Sequence, residues 1–215
     1  TMHYAYDLSG NTACVTERNG NMLIHTYNNK GLVTERISVD TGESIQYSYD
    51  ALGNRTGMAD ESGSYGYSYD PLNRLIRVNR NDTLQLAYTY DAIGNVESVT
   101  DSKGFKTSYG YDKASRLETV TFDGRTTEYK YDVCGSRESV TYEGGVKEEY
   151  SYDKNNRLLK LTNRKPDNSV VSQYSYTYDI TGRETSKTDS YGTTNYTYDQ
   201  AGRVLKVEAP GKTTV

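Results

Sequence analysis

The sequence predicts an all-β protein, built of tandem β-hairpin repeats that form a curved, spiralling, single-layer antiparallel sheet. Three observations carry that reading. The motif Tyr-Xaa-Tyr-Asp occurs nine times, at residues 4–7, 47–50, 67–70, 88–91, 109–112, 129–132, 150–153, 176–179 and 196–199, and self-similarity at a short fixed period is the signature of a repeat architecture. A turn residue follows three positions after each Asp. The stretches between turns are rich in Tyr, Val and Thr, which favour pleated strands, and none shows a helical period of useful length.

A degenerate tenth copy, His25, Thr26, Tyr27 and Asn28, completes the series, and the Asp (or Asn) positions are spaced by 20 to 22 residues with one step of 26. Residues 1–3 form an N-terminal remnant. Residues 4–215 form a single array of ten repeats starting at 4, 25, 47, 67, 88, 109, 129, 150, 176 and 196. The structural motif is clearest at Tyr67, Tyr69 and Asp70; at Tyr88, Tyr90, Asp91 and Gly94; and at Tyr109, Tyr111 and Asp112. It recurs at Tyr129, Tyr131, Asp132 and Gly135; at Tyr150, Tyr152 and Asp153; and at Tyr196, Tyr198, Asp199 and Gly202.

The first turn of each unit reads Asp-Xaa-Xaa-Gly, with Asn73 and Asn156 in two copies and Ser115 in another. Asp at the first position of a type I turn accepts backbone N–H bonds, and Gly or Asn at the fourth supplies the left-handed backbone of a bulged hairpin loop. Pro71 fits the second turn position. Ser115 is the poorest fit and marks the expected site of a distorted turn.

A second strand follows each turn. Five residues past the Asp stand Val33, Leu75, Val96, Leu117, Leu158 and Val204, and eight past it Val15, Met58, Val78, Val99, Val120, Val140, Leu161 and Val207. A second turn then closes the unit. Asn19-Gly20 and Asp123-Gly124 read as tight versions, Asp60, Asp101 and Asp189 as further Asp-Xaa-Xaa-Gly turns, and Pro210-Gly211 as type II.

Both tyrosines of a motif share one strand face. The bulged loop places the second Tyr opposite the residue five past Asp, as in Tyr69 with Leu75 and Tyr152 with Leu158, pairs worth roughly 0.2–1 kcal/mol each. Without a further bulge, the Val column eight past Asp lies on the other face. Twenty strands span about 95 Å, and a sheet of that length must curl, close or flatten. Arg74, Arg116, Arg157, Arg183 and Arg203 follow the turns. They read either as surface bridges to an acidic residue on the next hairpin or as a row for an anionic polysaccharide. The unit beginning at Tyr150 carries extra length between Asn163 and Gln173, either a tolerated insertion at an exposed tip or a protruding contact loop.

Composition narrows the function. Leu, Ile, Val and Phe together number 36 of 215 residues, while Tyr alone supplies 23 and Trp none. Tyrosine therefore does the burying, its hydroxyl keeping a polar partner. A net charge of -4 with both signs interspersed gives no stripe for nucleic acid and no polybasic run for lipid. No signal peptide or membrane-length apolar stretch is present. Cys14 and Cys134 lie too far apart to suggest a disulfide framework or metal motif and read as two half-buried strand residues. With only His3 and His25, no nucleophile elbow, no phosphate loop and no zinc spacing, the chain reads as a non-enzyme without cofactor.

The unit Tyr-[Ser/Thr/Ala]-Tyr-Asp-Xaa-Xaa-Gly-[Asn/Arg], intact at residues 88–95 and 196–203, resembles the YD repeat, also called the RHS repeat, over residues 4–215. Similar repeats build bacterial wall-associated and Rhs polymorphic toxins, the cocoon of insecticidal toxin complexes, and the extracellular barrel of teneurins. The resemblance implies a secreted or cell-surface shell wound around a cavity, which in bacterial members holds a toxic C-terminal domain often released by self-cleavage. Ten repeats are too few to close such a shell, and the plug, self-cleaving and toxin regions are missing, so cleavage and killing transfer to no residue here. The expected partner is an enclosed or attached effector polypeptide of the same parent chain. A cell-surface glycan stacked on the Tyr rows is the alternative, and the open edges invite self-association.

Overall fold

The computed structural model describes residues 1–214. Its 21 strands are joined by short turns, and among the described residues the one helical element is a 3-10 turn at Glu143–Gly145. No helix there is long and apolar enough to cross a membrane. The chain falls into two compact units, Thr1–Thr107 and a second that begins at Ser108.

The first unit contains β1 (His3–Tyr6), β2 (Thr12–Thr16), β3 (Met22–Tyr27), β4 (Val33–Ser38), β5 (Ser44–Tyr49), β6 (Arg55–Asp60), β7 (Gly63–Tyr69), β8 (Leu75–Arg80), β9 (Thr83–Tyr90) and β10 (Val96–Asp101). The division falls within β11 (Lys106–Tyr111). The second unit continues with β12 (Leu117–Phe122), β13 (Arg125–Tyr131), β14 (Arg137–Thr141), β15 (Lys147–Tyr152) and β16 (Leu158–Arg164). It ends with β17 (Val170–Tyr178), β18 (Glu184–Asp189), β19 (Gly192–Tyr198), β20 (Val204–Ala209) and β21 (Lys212–Thr214). Within each unit neighbours in sequence pair antiparallel, β1 through β10 and β12 through β21. The expected meander is present, with one strand beyond twenty because the chain turns at Pro210 and Gly211 and pairs again.

The first turns close as their sequence dictates. In the copy at Asp91, the Asp N–H donates to the Asn95 carbonyl (2.9 Å) and the Gly94 N–H donates back to the Asp91 carbonyl (3.2 Å). Gly94 takes φ 101°, the left-handed region that glycine enters without a side-chain clash. The distortion expected at Ser115 does not occur. Ser115 adopts φ 58° and both turn bonds form at 2.9 Å, so the strain is absorbed in one dihedral and not in the loop.

The second turns are more varied than the sequence reading had them. Asn19-Gly20 belongs to a bulged loop, closed by Glu17 N–H to Asn21 carbonyl and Gly20 N–H to Glu17 carbonyl, because only Gly20 of the pair has positive φ. Conversely Asp60 pairs directly with Gly63 and Asp189 with Gly192, which makes these two-residue loops. Asp101 keeps the bulged form.

The face assignment of the Val column is also corrected. Tyr69 pairs with Leu75, Ser68 with Arg77 and Tyr67 with Val78, so Ile76 is an extra residue in β8. The same slip recurs beside the second Tyr of eight further hairpins. One inserted residue inverts the alternation. The residues five and eight past Asp therefore both face the tyrosines, and the opposite face carries the middle motif residue, set against serine in three hairpins, as Thr89 is against Ser98, and against Arg77, Lys160 and Lys206 in others. The Thr89 and Ser98 hydroxyls bond at 2.7 Å. A single sheet has no second layer to bury against, and Val140 is the fully buried apolar side chain among the described residues.

One local reading changes. Cys14 lies half-buried in β2, but Cys134 is exposed in the turn after Asp132. The added length after Tyr150 lengthens the hairpin of β16 and β17 and leaves its tip exposed at residues 165–169, with Pro166 beside the preceding turn: a methyl placed on Gly145 would lie 3.2 Å from Pro166 Cβ.

Candidate functional site, the joint between repeats

The structure concentrates the repeated residues at the boundary where one hairpin meets the next. The turn Asp builds the first half. Asp70 Oδ1 accepts the N–H groups of Leu72 and Arg74, both at 2.9 Å, and Oδ2 accepts Arg74 Nε at 2.7 Å. Asp112, Asp153, Asp179 and Asp199 hold Arg116, Arg157, Arg183 and Arg203 in the same way. In the Asn copies the amide replaces the guanidinium, as with Asn95 Nδ2 on Asp91 Oδ2 at 2.9 Å. Asp132 caps Cys134 and Ser136 N–H groups at 2.9 Å.

The arginines therefore pair with their own turn and not with an acidic residue of the next hairpin. What they extend to the next hairpin is different in kind. Arg157 Nη1 donates to the Asp179 carbonyl at 3.0 Å, and its guanidinium carbon lies 4.9 Å from the Tyr178 ring centroid. Arg74 reaches the Asp91 carbonyl (3.5 Å) and covers Tyr90 at 4.4 Å, and Arg116 does so with Asp132 and Tyr131. Arg183 treats Asp199 and Tyr198 alike. A guanidinium over a ring face is attractive, and fixing it by Asp removes much of its side-chain freedom in advance.

The second Tyr of the motif supplies the other half. Tyr90 hydroxyl donates to the Leu75 carbonyl of the preceding repeat at 2.7 Å. The same bond joins Tyr27 to Thr12, Tyr49 to Val33, Tyr69 to Arg55, Tyr131 to Leu117, Tyr152 to Arg137, Tyr178 to Leu158 and Tyr198 to Glu184, at 2.6 to 3.1 Å. The first Tyr packs across its own hairpin: Tyr67 on Val78, Tyr88 on Val99, Tyr129 on Val140, Tyr150 on Leu161 and Tyr196 on Val207. Tyr109 and Tyr111 stand in β11. Gly94, Gly135 and Gly202 all take the left-handed turn position.

The electrostatics follow from these contacts. The backbone N–H of the Arg four residues on, reinforced by its guanidinium, holds Asp70, Asp112, Asp153 and Asp199 below the usual carboxylate range. Burial raises Tyr49, Tyr90, Tyr152 and Tyr178. Tyr150 is pushed up to about 12 by burial and by its bond to Glu148. His25, standing where a first Tyr is expected, is lowered by burial and by Arg36, and its buried Nδ1 has no hydrogen-bond partner among the described residues. No group of three or more His, Cys, Asp or Glu among the described residues is placed to hold a metal ion. These side chains are engaged in joining hairpins, which suits them to building a wall.

The sequence marked the Tyr, Asp and Gly of this joint. It missed the hydroxyl-to-carbonyl bond, whose acceptor is backbone and leaves no trace in residue type. The recurring Arg or Asn four past Asp was the available signal for the closed carboxylate.

A family model, Teneurin YD-shell, matches residues 1–124. The chain belongs to the teneurin YD-shell family. Among solved structures, the YD-shell chain is similar to a crystal structure of TcdB2-TccC3-Cdc42, with TM-score 0.81, 17% identity, and coverage of 96% of this chain and 13% of that one. It is also similar to the Tc holotoxin pore of Photorhabdus luminescens, with TM-score 0.60, 18% identity, and coverage of 96% and 13%. A TcdB2-TccC3 crystal structure gives TM-score 0.60, 18% identity, and coverage of 96% and 14%. At such identities the likeness is one of fold. The YD-shell chain spans 13% to 14% of the length of these proteins. No curated protein sequence matches it. Its role is that of structural shell wall.

Proposed function

We propose that this YD-shell chain is one continuous array of ten repeats over residues 4–215, part of a secreted or cell-surface shell that encloses or carries an effector polypeptide. The observation that carries the reading is the joint. At eight boundaries between repeats, the repeated chemistry of the motif is spent on the neighbouring hairpin: a Tyr hydroxyl on a carbonyl and, where Arg is present, a guanidinium on a ring. Groups so engaged build a surface of fixed form and leave little to act on a substrate. The residues named at Tyr67, Tyr88, Tyr129, Tyr150 and Tyr196 serve the same purpose within each hairpin. The guanidiniums over Tyr90, Tyr131, Tyr178 and Tyr198 also occupy ring faces that a stacking sugar would need, which favours a wall over a glycan-binding module.

Electron microscopy of the longer protein that contains this array, with limited proteolysis of the same sample, tests the proposal. A hollow shell with protease-protected polypeptide inside is the expected result. A compact particle without a cavity would overturn it.

A further inference from the structure

One hairpin in the second unit outgrows its neighbour. β17 runs for nine residues, Val170–Tyr178, and β16 covers one edge of it from Val170 to Ser175. On the other edge β18 pairs only from Tyr178 back to Ser175, where Thr188 and Asp189 lead into the tight turn at Ser190 and Tyr191. Val170, Val171, Ser172 and Gln173 therefore have no strand on that side among the described residues. At roughly 3.3 Å per residue the open stretch is about 13 Å long. It lies inside the array, because the added length of β16 and β17 has no counterpart in β18 and β19.

The side chains around the gap fall into two sets. Arg164 pairs with Val170 and Asn163 with Ser172, so Val171 is an extra residue, which sets both valines on the face of Gln173. They are 52% and 60% exposed. Ser172, Tyr174 and Asp189 alternate onto the opposite face. Asp189 accepts the Tyr191 N–H through Oδ1 at 2.8 Å, and among the described residues no Lys or Arg forms an ion pair with it. A cleft of about 260 Å³ runs along the gap, lined by Val170, Val171, Gln173, Thr188, Asp189 and Ser190. The stretch from Val170 to Gln173 holds neither a charge nor a proline, the residues that commonly blunt a free edge.

We propose that this gap takes an extended peptide strand of alternating apolar and basic residues. The peptide backbone hydrogen-bonds to the free edge of Val170, Val171, Ser172 and Gln173, as an added strand does at a sheet edge. Successive side chains of an extended chain point to opposite faces. Its apolar residues therefore cover Val170 and Val171, while its basic residues reach the Asp189 carboxylate.

Fluorescence anisotropy with the 215-residue protein and a labelled short peptide of alternating valine and lysine tests this. Comparison peptides replace the lysines by glutamate, or carry N-methyl groups on the amides of one edge. Val171→Lys puts a charge on the open edge and should weaken binding about tenfold or more. Asp189→Asn keeps the acceptor for the Tyr191 N–H. It should weaken binding of the lysine peptide about three- to tenfold and remove the preference over the glutamate peptide. Glu118→Gln, exposed on β12, is the control and should bind like wild type. Amide exchange of the complex should show new protection at Val170, Val171, Ser172 and Gln173. No saturable binding up to about 1 mM, equal binding of the N-methylated peptide, new protection elsewhere, or a Val171→Lys variant that binds like wild type would each overturn the proposal. So would a dimer of the free protein, seen by sedimentation and abolished by Val171→Lys, because the edge would then belong to a second copy.

Discussion

At the residue scale, Tyr90 combines the two tasks of its type in this chain: its ring lies beneath Arg74 and its hydroxyl reaches the Leu75 carbonyl. Tyr90→Phe keeps the ring and deletes the donor, leaving a carbonyl short of a partner. A loss of about 0.5–1.5 kcal/mol is expected, read from the urea midpoint of unfolding. The titrations give two further expectations. Asp70, Asp112, Asp153 and Asp199 have folded pKa values below the ordinary 3.8. Their stabilisation is fully present above that value. As pH falls below it, the unfolded chain takes up protons first and stability drops, so the thermal midpoint should fall as the solution is acidified from pH 3.8 downward. Tyr150 shifts the other way, from 10.0 to about 12. Its neutral form is favoured in the fold, so its contribution is complete below pH 10 and is lost as pH rises toward 12. Tyrosinate absorbance should therefore show a fraction of tyrosines that ionise only as the protein unfolds in alkali.

At the element scale, the hairpin is set by its turn. Ser115 forms the same two turn bonds as the glycines, yet holds a left-handed φ of 58° with a side chain. Ser115→Gly relieves that conformation and loses some unfolded-state restriction, for an expected net gain of about 0.5–1 kcal/mol. Gly94→Ala does the reverse at φ 101° and should cost at least about 1 kcal/mol. Urea midpoints of the two variants must move in opposite directions if the turn geometry is as described. The bulge beside each second Tyr is the other fixed feature of the hairpin. Apolar residues five and eight past Asp are three apart, an odd spacing that places both on one face only where an extra residue intervenes. That spacing was in the sequence and was the legible sign of the bulge. Strict alternation past the turn would put the Val column on the other face; the extra residue in the second strand, such as Ile76 in β8, brings it back beneath the tyrosines.

At the scale of the whole molecule, the repeats within each unit meet their sequence neighbours through paired strands and one joint, a nearest-neighbour arrangement in which stability is close to a sum of repeat and interface terms. Local opening should then stay local. In the second unit, Tyr178→Phe removes the bond to Leu158. Amide exchange is expected to quicken in β16, β17 and β18 while β13 and β14 keep their protection. Uniform loss of protection across that unit would mean that cooperativity reaches further than the joint.

The sequence alone determined that this chain is a β-hairpin array, where its first turns lie, and which second-strand residue faces each second Tyr. Motif period, turn residues and hairpin register are all local, and local chemistry writes them into residue type. The tertiary structure alone decided how one hairpin grips the next. The acceptors of the Tyr hydroxyls and of the outer Arg nitrogens are backbone carbonyls of other repeats. Every residue has such a carbonyl, so no choice of side chain announces which one is used; only the packing of neighbouring strands selects it.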